Sequence, residues 1–370
     1  ENPEVEASVI VSEEDSDEED IELAAEINVL HMLLLPVKRW IANAQYEATR
    51  LDVVHAVQSL AYDTRIAYLR LLAERQRLAM RRSMRDAAAA GSEMAGRLRA
   101  AGNIKLLDKL NEEALYEQVA LSIPAAELAV RKAREDLNAL MGLREVDASW
   151  TVDDTLPRPP ESQPDVGDVE SEAVQNSLRL GMSRHRIRAA RAQLGMARTE
   201  SVLPALHVGI EAEQEPNGVW LVGPMIGVEL PLFDFGQARR PAARAELRRL
   251  RHQLDAVAVD TRSAVRKAAD RVRVAAQRVL RYRDVILPLQ EKIVHRTQLQ
   301  YNAMQLGVFQ LLQAKQMEIN ARSTYIDELL NYWIARTELE QIRKGLLVEP
   351  SGMAMSAGMG TSMPSGGNGH

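Results

Sequence analysis

Cysteine is absent from the 370 residues, which excludes disulfides, thiolate metal sites, cysteine nucleophiles and an N-terminal lipid-bearing cysteine. Aromatic residues make up 4% of the chain, too few for the two or three globular cores its length would suggest, so an elongated helical body is expected. No apolar run reaches the roughly eighteen residues of a membrane-crossing helix. The longest candidate, INVLHMLLLPV, is broken by Asn28 and His31. Any membrane crossing would therefore be by strands. No signal peptide opens the sequence at ENPEVEASV, and the expectation is a processed form or a fragment lacking its start and a leading helix.

Catalytic constellations are also missing. The histidines at 31, 55, 185, 207, 252, 295 and 370 include no pair at i, i+3 or i+4 that would make a zinc site on one helix. No Ser-His-Asp set or phosphate-cradling glycine loop is evident, so neither an enzyme nor a cofactor is expected. The net charge of -6 is uneven: residues 1 to 20 carry ten acids and no base, leaving the remainder near +4. That is not a nucleic-acid-binding profile. The run SEEDSDEED reads most simply as a solvated loop, with a cation-attracting rim at a channel mouth as the alternative.

What the chain does have is a pattern written twice. AGNIKLLDKL at residues 101 to 110 returns as LGVFQLLQAK at 306 to 315, so that Gly102 meets Gly307 and Ile104 meets Phe309 at an offset of 205. The flanks agree through Leu35-Pro36 and Leu230-Pro231, which suggests a tandem duplication, each half ordered strand, strand, long helix, turn, long helix. Period-two alternation predicts strands over 3–12, 21–35, 204–214 and 220–233. At roughly ten residues each has the length a tilted strand needs to cross a bilayer. Steps of three and four from Leu254 through Thr261, Ala268, Val272 and Val279 to Ile293, and from Val54 through Tyr68 to Leu71, mark coiled-coil seams. The longer seam is about 60 Å or more at 1.5 Å rise per residue. Pro124 and Pro288 should kink these helices or end a segment.

The expected class is α+β, mainly α. Its parts are a first repeat over 1–145 with a turn near 96–104, a linker over 146–169, a second repeat over 170–347 with a turn near 304–308, and a disordered tail over 348–370. Four amphipathic strands cannot close a membrane barrel, which needs about eight or more. Three copies would supply twelve strands, with paired helices continuing the wall as a tube.

NPEVEAS before a strand, ELPLFDFGQARRPAARAEL at the strand-to-helix junction, RLRAAGNIKLLDKLNEE and YNAMQLGVFQLLQAK at the turns, and AREDLNALMGL closing the first half resemble the TolC-like outer membrane efflux proteins, especially their heavy-metal branch. The likeness covers residues 1 to about 347. It implies a homotrimer with a twelve-stranded outer membrane β-barrel set in lipid and a long periplasmic α-helical barrel. It further implies a periplasmic adaptor docked at the hairpin tips, and an inner membrane pump of the resistance-nodulation-division type beyond it. Carried over residue by residue, the docking tip falls on Arg97, Gly102, Ile104 and Leu107 of one hairpin and Gly307, Phe309 and Leu311 of the other. The glycines are also explained as turns, because reversing a helix calls for a residue that tolerates positive φ, and the leucines as coiled-coil packing. The sequence departs from the family's acidic entrance, offering Gln298, Gln300, Gln305, Gln310 and Gln313 instead.

The tail places Met353, Met355, Met359 and Met363 among Gly, Ser and Ala, ending at His370. Thioethers are soft ligands that suit Cu(I) or Ag(I), while an inert extension is the alternative. The resulting expectation is a passive export duct for heavy-metal ions such as copper or silver. The alternatives are the same duct carrying drugs or organic compounds, a soluble coiled-coil scaffold, and a metal-sequestering periplasmic protein.

Overall fold

Alternation makes the strands and heptad spacing makes the helices, as a computed structural model of the chain shows. It describes residues 5–13, 19–144, 149–153, 155–158, 161, 169–201, 205–214, 219–229 and 236–347. The elements run β1 (Val5–Glu13), β2 (Glu19–Asn28), α1 (Val29–Ala100), α2 (Leu106–Met141), α3 (Val169–Asn176), α4 (Leu178–Glu200), β3 (Ala205–Gln214), β4 (Trp220–Glu229), α5 (Arg239–Arg281), a π-helical turn (Tyr282–Ile286), α6 (Leu287–Asn302) and α7 (Val308–Arg343). They form two compact units, one of Glu1–Val54 with Leu178–Val259 and the other of His55–Ser177 with Asp260–His370. Each unit draws on both halves of the sequence, so the boundaries expected from the repeat are not those of the packed units.

The first unit holds a sheet in the order β1-β2-β3-β4, every neighbouring pair antiparallel. Its register puts Val5, Ile27, Val208 and Ile226 in one row and Val9, Leu23, Ala212 and Val222 in another, both on a single face. On β3 and β4 that face is uncovered: Ile210 is 60% exposed and Ile226 72%. Beneath the strands, α4 packs on α1 through Ala189 against Ile41 and Ala44, and on α5 through Ala190 and Leu194 against Leu247 and Leu250.

The strand expected over 21–35 is corrected: β2 ends at Asn28 and the helix begins at Val29. Leu30, Leu34, Ile41, Ala44 and Ala48 are buried whereas Leu33 is exposed, the spacing of a helix face and not of a strand. Asn28 Oδ1 accepts from the His31 backbone N–H at 3.1 Å, so the asparagine that breaks the apolar run also caps the helix. The strand expected over 220–233 is described to Glu229. Residues 230–235, the centre of the acidic run at 14–18 and the tail at 348–370 lie outside the described residues.

In the second unit the α5 seam is Thr261, Val265, Ala268, Val272, Ala276 and Val279, all buried. It packs with Leu72, Ala73, Leu329, Tyr332 and Ile342 of α1 and α7. Alanines at the contacts let the helix backbones approach closely. The seam stops sooner than expected, since Leu289 and Ile293 are exposed, as are Val54 and Val57. Pro288 is accommodated at the start of α6, directly after the π turn, where the altered hydrogen-bond ladder makes room for a residue without an N–H. Pro124 sits within α2 without ending it. Two carboxylates are buried between α5 and α7 and paired with half-exposed arginines: Glu338 holds Arg271 at 2.8 Å and Glu328 holds Arg278 at 2.5 Å. The described part of the 146–169 segment lies against the helices. Arg75 Nη1 donates to the Val152 carbonyl at 2.9 Å, and Trp333 Nε1 to the Pro157 carbonyl at 3.1 Å.

Gly209 is required by the sheet, because a Cβ there would stand 2.4 Å from the Ala25 carbonyl oxygen, closer than any contact real side chains adopt. Gly209→Ala is expected to disrupt the β2–β3 ladder at a cost of about 1–3 kcal/mol. The check is loss of the folded form on a detergent gel, with Gly223→Ala, where the space is open, as the unaffected comparison.

Candidate functional site

The two helical hairpins of the second unit each end in a tight turn, and the backbone explains how. In the first, α1 closes with the Asn103 N–H donating to the Leu98 carbonyl at 2.9 Å and the Gly102 N–H to the Arg99 carbonyl at 3.0 Å, while Gly102 takes φ +73°. This is the Schellman pattern, with glycine in the left-handed position that costs other residues about 1–2 kcal/mol. Arg99 Nη1 donates across the turn to the Ile104 carbonyl at 3.1 Å, and Lys105 caps α2 with extended backbone.

The second turn repeats those bonds with a different residue. The Gln305 N–H donates to the Gln300 carbonyl at 2.9 Å and the Met304 N–H to the Tyr301 carbonyl at 2.9 Å, and Met304 itself takes φ +57°. Gly307 is the extended cap of α7, with φ -80°. The expectation that Gly307 serves as the reversing glycine is therefore corrected. The physical equivalence pairs Gly102 with Met304, Ile104 with Leu306, Lys105 with Gly307 and Leu107 with Phe309, an offset of 202 in place of 205. The letter match of the glycines is displaced by three residues from the match of the caps.

Side chains divide the expected tip residues. Phe309 is 70% exposed, Leu107 66% and Met304 89%. Arg97 is exposed and pairs with Glu93 of its own helix, and Ile104 is half-buried. Leu311 is 2% exposed, facing inward with Val308, so its assignment to a docking surface is withdrawn in favour of packing. The exposed Met304 was missed because positive φ is not legible from a methionine.

The end of α6 lies within electrostatic range of α2. Burial raises the Tyr301 phenol, and the carboxylates of Asp108 and Glu112 on α2 raise it further, so the two negative groups stand against the last turn before Met304. Glu112 is buried, and its Oε2 has no hydrogen-bond partner. Gly91 on α1 leaves it room, since a Cβ there would lie 2.9 Å from that oxygen.

Among the described residues no three His, Asp or Glu side chains gather as a metal site. His207 on β3 has only Glu26, 3.2 Å away, and Asn28. The candidate methionines Met353, Met355, Met359 and Met363 and His370 lie outside the described residues.

No family model matches the chain. A membrane protein of Pseudomonas aeruginosa superposes with a TM-score of 0.79 at 18% identity, over 92% of this chain and 84% of that one. The CmeC outer membrane channel of Campylobacter jejuni does so at 0.76 and 13% identity, over 93% and 77%. The fold is that of the outer membrane channels. CusC, described for transmembrane channel formation, shares this fold at 0.76 and 14% identity, over 93% of this chain and 82% of its own. In sequence, the chain is 22% identical over 282 residues to the cobalt-zinc-cadmium resistance protein CzcC of Cupriavidus metallidurans, covering 75% of this chain and 65% of that protein. The chain thus spans somewhat under two thirds of that relative's length.

Exposure separates the tip positions in a way that mutation will read. Phe309→Asp is expected to leave the thermal midpoint nearly unchanged, within about 0.5 kcal/mol. Leu311→Asp, which forces a charge into the packed interior, is expected to cost about 3 kcal/mol or more. Thermal unfolding followed by circular dichroism checks both.

Proposed function

We propose that the chain is the outer membrane component of a tripartite efflux system, a passive duct without a catalytic step, seated in the outer membrane and projecting into the periplasm. The observation that carries this reading is the sheet: four strands of nine or ten residues, one apolar face uncovered, and β1 and β4 unpaired at the outer edges. In lipid an open edge leaves backbone groups without partners, at several kcal/mol each. Closure by a homotrimer into twelve strands removes the edges, and the uncovered face becomes the lipid-facing wall. The tandem repeat supplies two hairpins per copy, whose exposed Leu107, Met304 and Phe309 form the surface offered to a periplasmic adaptor. A pump of the resistance-nodulation-division type lies beyond that adaptor.

Heavy-metal ions are the proposed cargo. The similarity to a cobalt-zinc-cadmium resistance protein supports the class, and the thioether-rich tail suits copper or silver within it. Export of organic compounds through the same duct is the second reading, favoured by the glutamines that stand at the second turn where the related channels would place acids.

The test is purification from membranes. The account expects a trimer that needs detergent and conducts ions in planar bilayers. A monodisperse monomer in aqueous buffer would return the chain to the coiled-coil scaffold reading. In cells, loss of copper or silver tolerance without loss of dye tolerance is expected on deletion, and the reverse pattern assigns organic cargo.

A further inference from the structure

The arginines of the first unit are distributed in a way that its packing does not explain. Leu178–Glu200 carries six and residues 239–251 another six, with no lysine and with Glu200 and Glu246 as the only acids. Arg184, Arg188, Arg191 and Arg198 on α4, and Arg244, Arg248 and Arg251 on α5, are all exposed. None of the seven has an ion pair among the described residues, whereas the neighbouring Arg249 holds Glu246 at 2.5 Å. Exposed arginines left unpaired in such number repel one another and require a different account from ordinary surface pairs.

Their positions give that account. On α4 the contacts to α5 use Ile187, Ala190 and Leu194, and the contacts to α1 use Ala189, Ala192 and Met196. At about 100° per residue these two seams lie on nearly opposite sides of α4, so α1, α4 and α5 form a single layer. Arg184, Arg188, Arg191 and Arg198 recur at steps of four, three and seven, a stripe about a quarter-turn from the α5 seam. Arg244, Arg248 and Arg251 recur at four and three, again about a quarter-turn from the shared seam. The two helices run in opposite directions, since Arg240 Nε near the start of α5 donates to Ser201 Oγ just past the end of α4 at 2.5 Å. With that reversal both stripes fall on the same side of the layer. The same construction puts the exposed Leu33 and Trp40 of α1 on that side. Thr49, Gln193, Glu200, Glu246 and Gln253 fall on the other. Arg179, Arg186, Arg249 and Lys38 fall on that other side as well, so both faces are basic, and the face with the seven arginines and Trp40 is the more strongly cationic.

The layer also has an upper end. α1 follows β2 without a break, and only residues 201–204 separate α4 from β3. Arg198 is nearest the strands, Arg191 about 10 Å below it and Arg184 about 21 Å below, at 1.5 Å rise per residue. Arg244 lies about 8 Å into α5 and Arg251 about 18 Å. Charge attraction to a membrane surface fades over a Debye length of about 8–10 Å, so the arginines act on one more strongly the nearer they lie to the strands.

We propose that the face carrying Arg191, Arg198, Arg244 and Trp40 binds the phosphate headgroups of anionic phospholipid in the leaflet that meets the base of the strands. The inference rests on the reading that those strands span a membrane. Guanidinium matches phosphate oxygens in pairs, which suits arginine and not lysine to this surface, and an indole beside it occupies the interfacial depth that tryptophan favours. The direct junction of the upper end of the layer with the strands selects a bilayer as the occupant, and the less basic side is left to line the duct.

The test uses the full chain purified in detergent, exposed to phosphatidylglycerol and phosphatidylcholine of matched acyl chains, with retained lipid counted by native mass spectrometry. Preferential retention of phosphatidylglycerol is expected, weakening with salt. Arg191→Gln/Arg198→Gln/Arg244→Gln is expected to lower that preference about a hundredfold, roughly fivefold per arginine. The lower triple, Arg184→Gln/Arg188→Gln/Arg251→Gln, removes equal charge and is expected to leave the preference within a fewfold. Equal retention of the two lipids by the unmodified protein overturns the proposal, and that measurement stands even if a variant fails to fold. Equal losses from both triples overturn it in favour of diffuse charge, and displacement of the lipid by millimolar inorganic phosphate overturns it in favour of a free-anion site. A detergent-bound trimer without lipid preference defeats this inference alone, whereas a detergent-free monomer defeats the membrane reading beneath it.

Discussion

A sheet of four strands has two edges and two faces, and among the described residues one face is apolar and exposed on β3 and β4 while both edges lack a partner strand. That unmet demand for backbone hydrogen bonds and for an apolar environment is the constraint on which the rest depends. Strands of this length cannot be stabilised in water as an isolated sheet with half its surface apolar. The helices of the second unit also carry exposed apolar side chains, Leu121, Leu289 and Ile293.

Small residues do much of the positioning. Gly209 lets β2 and β3 come together, Ala73, Ala268 and Ala276 are fully buried where helices meet, and Gly91 leaves space for the Glu112 carboxylate. In the second unit the buried carboxylates Glu328 and Glu338 each hold an arginine, while among the described residues Glu112 Oε2 has no hydrogen-bond partner. A buried acceptor without a donor costs about 1–3 kcal/mol.

Much of the fold was legible in the sequence because two periods dominate it. Alternation located β1, β3 and β4 to within a few residues, and steps of three and four located the α5 seam. The failures are equally physical. The run from Ile27 to Leu35 is apolar at almost every position, so alternation carried the β2 reading past Asn28. The correct signal was the recurrence of Leu30, Leu34, Ile41, Ala44 and Ala48. At the tip, identical glycines invited an alignment that the caps refuse: Gly102 reverses the chain, Gly307 opens a helix, and Met304 adopts left-handed backbone unaided by its residue type. Exposure of Phe309 and burial of Leu311, two positions apart at the start of one helix, depended on which neighbours the hairpin brought near. The arginine face needed the two seams on α4 before its stripes could be placed on one side.

The account's central claim is that the outer edges β1 and β4 pair between copies. The absence of native cysteine makes that directly measurable. Ser8→Cys on β1 is combined in turn with Leu221→Cys, Gly223→Cys, Met225→Cys or Gly227→Cys on β4, and the protein is oxidised in native membranes and run without reductant. At least one combination is predicted to give covalent dimers and trimers that collapse to monomer on reduction, with each single cysteine giving no trimer. Monomer alone from every combination, in protein that is folded and membrane-bound, would contradict closure of the sheet by other copies of the chain.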